Sequence, residues 1–245
     1  MLTKNVLITG ASRGIGASCA ELFAKFGYKV AINYFKSREK ALSLADKIIK
    51  NGGLAETFCA DISDPNQVDD MYVKIKQKFG HPSVLINNAG ISEQKLFSDI
   101  TLSDWDNMFN VNIRGMFICC KKFLPYMIGQ KYGRIINISS VWGISGGSCE
   151  VHYSSSKAAV IGFSKALAQE TALSGVTVNC IAPGVIKTDM MAGYDEQTIN
   201  MLKEAIPCGE IGSADDVAHA ALFLASEKSS YITSQVINVG GGFKI

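Results

Sequence analysis

The sequence predicts an α/β fold, an open and doubly wound parallel sheet with helices on both faces. Three observations predict it. Short apolar runs alternate with longer amphipathic stretches along the whole chain. A glycine-rich turn, Gly10-Ala-Ser12-Arg13-Gly14-Ile15-Gly16, joins the first apolar run directly to the first helical pattern. No linker, repeat or low-complexity segment interrupts the 245 residues, so residues 1–245 read as a single domain.

Composition narrows the class further. With 47% hydrophobic residues the chain can bury a large core. Its 24 basic and 22 acidic residues are interspersed and leave a net charge of +2, so neither nucleic acid nor a membrane surface is expected as a partner. The first residues run straight into a strand and a glycine turn, leaving no room for a signal peptide. No apolar run approaches the ~18 residues of a membrane span, and a cytoplasmic location is the expectation. Seven cysteines, at 19, 59, 119, 120, 149, 180 and 208, form no Cys-x-x-Cys pair, and the three histidines are scattered, so no metal site is expected. The cysteines read as small core residues in a reducing compartment. Cys149 stands apart because it lies beside the candidate site.

In chain order, residues 6–9 form the first strand and the helical pattern 17–26 follows the glycine turn. Glycines at such a junction let backbone N–H groups approach a pyrophosphate at a helix N-terminus. A second strand over 29–33 ends in Asn33, Tyr34, Phe35 and Lys36, where an NAD enzyme of this topology usually carries an acid. The missing acid, with Arg13 in the turn and Lys36 or Arg38 nearby, favours a 2′-phosphate and predicts NADP(H). Lys36 and Arg38 also suit the start of a solvated helix. A helix over 39–51, a strand over 55–60 and a helix over 65–79 continue the alternation. Asp61 and Ile62 close the third strand, where the aspartate can accept from an adenine amino group or cap the next turn. The strand over 84–86 is followed by Asn87, Asn88, Ala89 and Gly90, small residues that let backbone lie against a cofactor, or amides that stitch loops together.

One long helix is predicted over 105–128, with Asn112 in its middle. Mid-helix asparagine is mildly unfavourable and predicts a kink or a bound water, or a satisfied buried amide. The strand over 134–139 ends at Ser140, and the helix over 152–173 carries Tyr153 and Lys157. A strand over 176–181 leads into Pro183, Gly184, Ile186 and Thr188, and such a turn at a strand's carboxyl end points to the ligand crevice. Residues 189–207 look less regular and Met-rich, as suits a mobile substrate lid. Ser213 begins a capped helix to 226, and 235–239 make the last strand.

Tyr153 and Lys157, four apart on a helix, share one face. A phenol titrates near ~10, and a neighbouring ammonium favours its anion. With the Ser140 hydroxyl to hold a substrate oxygen, the set can move a proton onto or off a carbonyl. Such a pair alone is also a common surface feature. Its weight comes from the dinucleotide motifs around it.

Taken together, Gly10 to Gly16, Asp61, Asn87 to Gly90, Asn112, Ser140, Tyr153, Lys157 and Pro183 to Thr188 resemble the short-chain dehydrogenase/reductase family from end to end. The resemblance implies a Rossmann-like domain with about seven strands, and a homotetramer pairing two long helices and the last strand. It implies that Tyr153 is the acid, Ser140 the holder of the substrate oxygen, Lys157 the ligand of the nicotinamide ribose, and Asn112 the holder of a relay water. Gly10, Ser12, Arg13, Gly14, Ile15, Gly16, Asn33, Tyr34, Asp61, Ile62, Asn88, Ala89, Gly90, Pro183, Gly184, Ile186 and Thr188 would line the cofactor. A non-catalytic dinucleotide sensor would not need the four proton-transfer residues.

Within the family the chain is similar to the 3-oxoacyl-[acyl-carrier-protein] reductases through its glycine turn and Tyr231-Ile-Thr, which implies a carrier-tethered ketone. It departs from them at Glu210, commonly arginine there, and at Ser174, one of two positions that tend to be basic; Lys131 keeps the other. The stretch from Ser140 through Trp142 and Glu150 to Tyr153 is also similar to reductases of the 5-aminopentanone modification on elongation factor P. There Glu150 would pair with a substrate amine, or serve only a subunit contact.

Overall fold

The computed structural model describes residues 4–191 and 193–243. The first half builds a strand–helix series: β1 (Asn5–Ile8), α1 (Gly14–Lys25), β2 (Lys29–Tyr34), α2 (Arg38–Lys50), β3 (Leu54–Cys59), α3 (Pro65–Phe79) and β4 (Val84–Asn87). Helix α4 (Leu102–Phe109), α5 (Gly115–Gly129), β5 (Gly133–Ile138), the single turn α6 (Trp142–Ser145), α7 (Val151–Thr171) and β6 (Val176–Pro183) follow. The chain then forms β7 (Ile186–Lys187), α8 (Glu196–Ala205), β8 (Gly212–Ser213), α9 (Ala214–Ala225) and β9 (Val236–Val239).

Seven strands make one parallel sheet in the order β3-β2-β1-β4-β5-β6-β9, while β7 and β8 pair separately. Alternate side chains of each strand feed two cores. On one face Val6 and Ile8 pack with Phe23 of α1 and Leu224 of α9; on the other Leu7 packs with Met71, Phe123 and Val160. The strand order reverses between β1 and β4, which opens a crevice at their carboxyl ends.

Local signals set the helix starts. The Asp64 side chain accepts from the Asn66 and Gln67 amides with Pro65 at the first helical position, and Ser213 with Asp216 forms a reciprocal capping box. Two expectations are corrected. The helix predicted over 105–128 begins at Leu102, capped by Thr101 and Asp104, and is broken by a wider π turn at Asn110–Arg114. The extra residue per turn aims the Asn112 amide inward, as such bulges do at functional sites. The segment 189–207 is not irregular throughout: Asp195 accepts from the Thr198 amide and starts the ten-residue α8.

Candidate active site

Thr9 and Asn88 tie the glycine turn to the end of β4. The Thr9 hydroxyl oxygen accepts from the Asn88 and Ala89 amides at 3.0 Å each, and Asn88 Nδ2 donates to the Thr9 and Gly10 carbonyls at 3.0 and 3.1 Å. Gly10 has φ +60°, and a Cβ there would stand 2.7 Å from Ala89 Cα, so only glycine allows these strands to approach. Ser12 and Arg13 lead into Gly14, Ile15 and Gly16, which open α1. That helix has no side-chain cap and no acid in its first turn, which leaves its leading N–H groups for an anion. These features fit the pyrophosphate of a dinucleotide.

Asn33 does something the sequence reading missed. Fully buried, its Oδ1 accepts from the Gly10 amide at 3.1 Å, and Nδ2 donates to the Phe58 and Ala60 carbonyls at 3.3 and 3.0 Å. It clamps the glycine turn against β3. A carboxylate would face those carbonyl oxygens without a proton to give, so the lack of an acid at 33 follows from this clamp as well as from any cofactor preference. The Tyr34 side chain is buried beside it.

Asp61 Oδ1 accepts from the Ser63 amide and hydroxyl at 2.9 and 2.7 Å, the capping alternative, and Ile62 is a core residue packed on Gly115. Pro183 ends β6 and accepts from the Val141 amide at 3.0 Å, and Gly184 donates to Val239 at 2.9 Å. Beyond the buried Ile186, Thr188 returns to the glycine turn, its Cγ2 3.5 Å from where a Gly14 Cβ would lie. The exposed Lys36 ammonium lies 6.0 Å from the Phe35 ring centre, and exposed Arg38 opens α2.

The proton-transfer set converges at the carboxyl ends of β4 and β5. Ser140 lies two residues beyond the end of β5, held by the Trp142 amide donating to its Oγ at 3.2 Å. Its hydroxyl faces the Tyr153 phenol, the interaction that favours the phenolate. Burial outweighs it and, with the Glu150 carboxylate adding like charge, pushes the phenol up to about 12. The ammonium of Lys157 lies 5.7 Å from the Tyr153 ring centre and donates to the Ile138 carbonyl at 2.9 Å. Burial pushes it down to about 8. Loss of solvation is the largest influence on both groups.

Asn112 Oδ1 accepts from the Ile91 amide at 2.8 Å, and Nδ2 donates to the Ile91 carbonyl and the Ser156 hydroxyl at 3.0 and 2.9 Å. A Cβ on Gly90 would stand 3.0 Å from Asn112 Oδ1 and 3.2 Å from Lys157 Nζ, so this glycine forms a thin wall over both. Trp142 packs edge-on against Phe243 at 5.8 Å. Glu150 is half-buried and its carboxylate accepts from the neutral Gln94 amide at 3.3 Å; burial raises its carboxyl. Cys149 is half-buried, its carbonyl bound by the Lys95 amide at 2.7 Å. His152, fully buried with both ring nitrogens lacking a hydrogen bond and Glu93 3.8 Å away, gave no signal in the sequence beyond preceding Tyr153. Among the described residues no group of three or more His, Cys, Asp or Glu is placed to hold a metal ion.

A parallel sheet with an anion-ready glycine turn and a Ser–Tyr–Lys set at its crevice defines an oxidoreductase of one class, and the chain belongs to the short-chain dehydrogenase/reductase family. A family model described as enoyl-(acyl carrier protein) reductase matches residues 10–244. The chain is 40% identical over 241 residues to the 3-oxoacyl-[acyl-carrier-protein] reductase of Staphylococcus aureus, covering 98% of each. It is 42% identical over 243 residues to that of Synechocystis, covering 98% and 97%. The crystal structure of the 3-oxoacyl-[acyl-carrier protein] reductase from Brucella melitensis superimposes with a TM-score of 0.93 at 31% identity, covering 99% of this chain and 91% of that one.

Proposed function

We propose that this single domain, residues 1–245, reduces a 3-oxoacyl thioester on an acyl carrier protein with NADPH. The observation that carries the chemistry is the half-buried Tyr153 phenol, held protonated and facing Ser140, with the Lys157 ammonium 5.7 Å from its ring centre. A bound nicotinamide cofactor supplies the hydride. Ser140 donates to the substrate carbonyl oxygen and fixes it beside the phenol, and Tyr153 gives that oxygen its proton. Lys157 binds the nicotinamide ribose, and with its ammonium near neutrality it can return a proton to Tyr153. Because the Asn112 amide is engaged by Ile91 and Ser156, a relay water is held by main-chain groups of the π turn rather than by that amide. Since Asn33 is explained by its clamp, the NADP(H) reading rests on the cations beside the glycine turn.

The substrate is supported by the names of the Staphylococcus aureus and Synechocystis relatives, both 3-oxoacyl-[acyl-carrier-protein] reductases. Half-buried Glu150, whose carboxylate accepts from a neutral amide, favours a second reading in which the ketone carries an amine, as in the 5-aminopentanone modification of elongation factor P. The discriminating experiment compares kcat/KM for acetoacetyl carrier protein with that for a simple acetoacetyl thioester, using NADPH. A clear carrier preference supports the first reading; feeble turnover with tight NADPH binding moves the substrate to the amine. A non-catalytic sensor is disfavoured by the intact proton-transfer set, and Tyr153→Phe tests it: turnover should collapse by about 10²-fold or more while cofactor binding persists.

We place the protein in the cytoplasm as a homotetramer. Exposed Phe117 on α5, edge-on to Phe163 of α7 at 6.5 Å, and the open edge of β9 suit the expected contacts, and sedimentation would test the state. Among the described residues no helix is long and apolar enough to cross a membrane.

A further inference from the structure

Asp189 gathers two cations from separate parts of the chain. Its carboxylate accepts from the Lys40 ammonium at 2.9 Å and stands 3.8 Å from the Arg13 guanidinium. Arg13 immediately precedes α1, and Lys40 is the third residue of α2. Asp189 follows Thr188 and opens a short 3-10 turn, Asp189–Met191, on the way to α8. Lys40 was not among the cations the sequence singled out. The three side chains are 59%, 56% and 56% exposed, so both ion pairs stand in water, where they are weak and screened by salt. Beside Lys40 lies an open groove of about 470 Å³ lined by Ser12, Glu39 and Ser43, with Lys47 and Glu21 paired to each other at 2.8 Å. Anionic ligands can therefore reach Lys40 without unfolding anything.

We propose that Asp189 is a built-in surrogate for the 2′-phosphate of NADP(H), occupying the Arg13–Lys40 pair in the cofactor-free protein and giving way to the phosphate when the cofactor binds. The inference rests on the NADP(H) reading and adds a competitor to it. A phosphate monoester carries about −1.5 to −2 charges and three acceptor oxygens, against one charge and two oxygens on the carboxylate, so it takes over both cations. Asp189 is then left beside a like charge and its turn is pushed away. Two effects follow from one residue. The carboxylate lowers affinity for the phosphorylated cofactor, and its displacement loosens the Asp189–Met191 turn only when a 2′-phosphate is present. A cofactor without that phosphate leaves the clamp closed.

The test uses adenosine 2′,5′-bisphosphate and 5′-AMP as probes, with the whole protein and its Asp189→Asn variant. Calorimetric titration should give the variant about three- to tenfold tighter bisphosphate binding, the size expected when two exposed ion pairs no longer compete. Affinity for 5′-AMP should be unchanged, and the gain should shrink in the Lys40→Gln background. Hydrogen exchange gives the second readout, at the Met191 amide that donates to the Thr188 carbonyl at 2.9 Å. In the wild type the bisphosphate, and not 5′-AMP, should speed its exchange; in Asp189→Asn it should already be fast. Unchanged or weaker bisphosphate binding in Asp189→Asn, with the wild type still preferring bisphosphate over 5′-AMP, would overturn the surrogate and leave the cofactor reading standing. A wild type with no such preference would overturn the cofactor reading and the surrogate with it.

Discussion

Asn112 holds both polar groups of a single residue, Ile91: its Oδ1 takes the amide at 2.8 Å and its Nδ2 reaches the carbonyl at 3.0 Å. This pairing turns a buried mid-helix amide into the support of the wall at Gly90. Asn112→Ala should release that wall. We expect kcat/KM to fall by about 10²-fold, the scale of a misplacement near 1 Å, with cofactor affinity falling less. Steady-state kinetics beside a cofactor titration decide it; equal losses in both would mean that Asn112 serves the cofactor rather than the reaction.

Lys157 makes stability depend on pH in a defined direction. Its folded pKa, about 8, lies below the ordinary 10.5, so below pH 8 it is charged in both states and its burial opposes folding in full. Between about pH 8 and 10.5 the unfolded chain holds more protons, so this contribution rises with pH. Lys157→Met lacks the titration. Urea melts of the cofactor-free proteins should show the wild type gaining on the variant from pH 8 to 10, by up to about 1.4 kcal/mol per pH unit. Parallel pH profiles would contradict the buried ammonium.

Asn33→Ala should unfold more easily by about 1–3 kcal/mol, since it leaves the Gly10 amide and two strand-end carbonyls without their partner. Asn33→Asp should be no better, because the acid cannot donate to those carbonyls. Denaturant midpoints measure both. A stable Asp variant that binds NADH well would instead make position 33 a cofactor selector.

Glu150→Gln removes a like charge beside the phenol, so the Tyr153 pKa should fall from about 12. On the acetoacetyl thioester we expect kcat/KM to change by less than about threefold. On an aminoketone it should drop about tenfold or more, because the amine loses the carboxylate assigned to it. Equal effects on both substrates would remove Glu150 from substrate choice.

Much of this was legible in the sequence, and the misses have identifiable causes. The alternation of strands and helices, the glycine turn, Pro65 and the Ser213 cap are local signals, and the elements they predict are present within a few residues. The π turn at 110–114 escaped because one extra residue per turn barely disturbs an apolar pattern read at period 3.6. Helix α8 was missed although Asp195 is an ordinary cap and Ile199, Leu202 and Ala205 recur at helical spacing; the methionines and the low apolar content of the surrounding segment masked the pattern. Tyr153, Lys157, Ser140 and Asn112 do meet at one crevice. What composition and spacing could not carry was solvation: that burial would dominate both the Tyr153 and the Lys157 protons, and that Asn33 would face inward.

The loop from Ile91 to Lys95 is fastened at its ends, by Asn112 at Ile91 and by the Cys149 carbonyl and Asp104 at Lys95. Between these anchors, Glu93 and Gln94 use side chains rather than backbone to reach His152 and Glu150. Descent with modification can therefore exchange residues 93, 94 and 150 while the loop keeps its course. Lineages built on this scaffold can drift towards new ketones there, without first surviving an unstable ancestor.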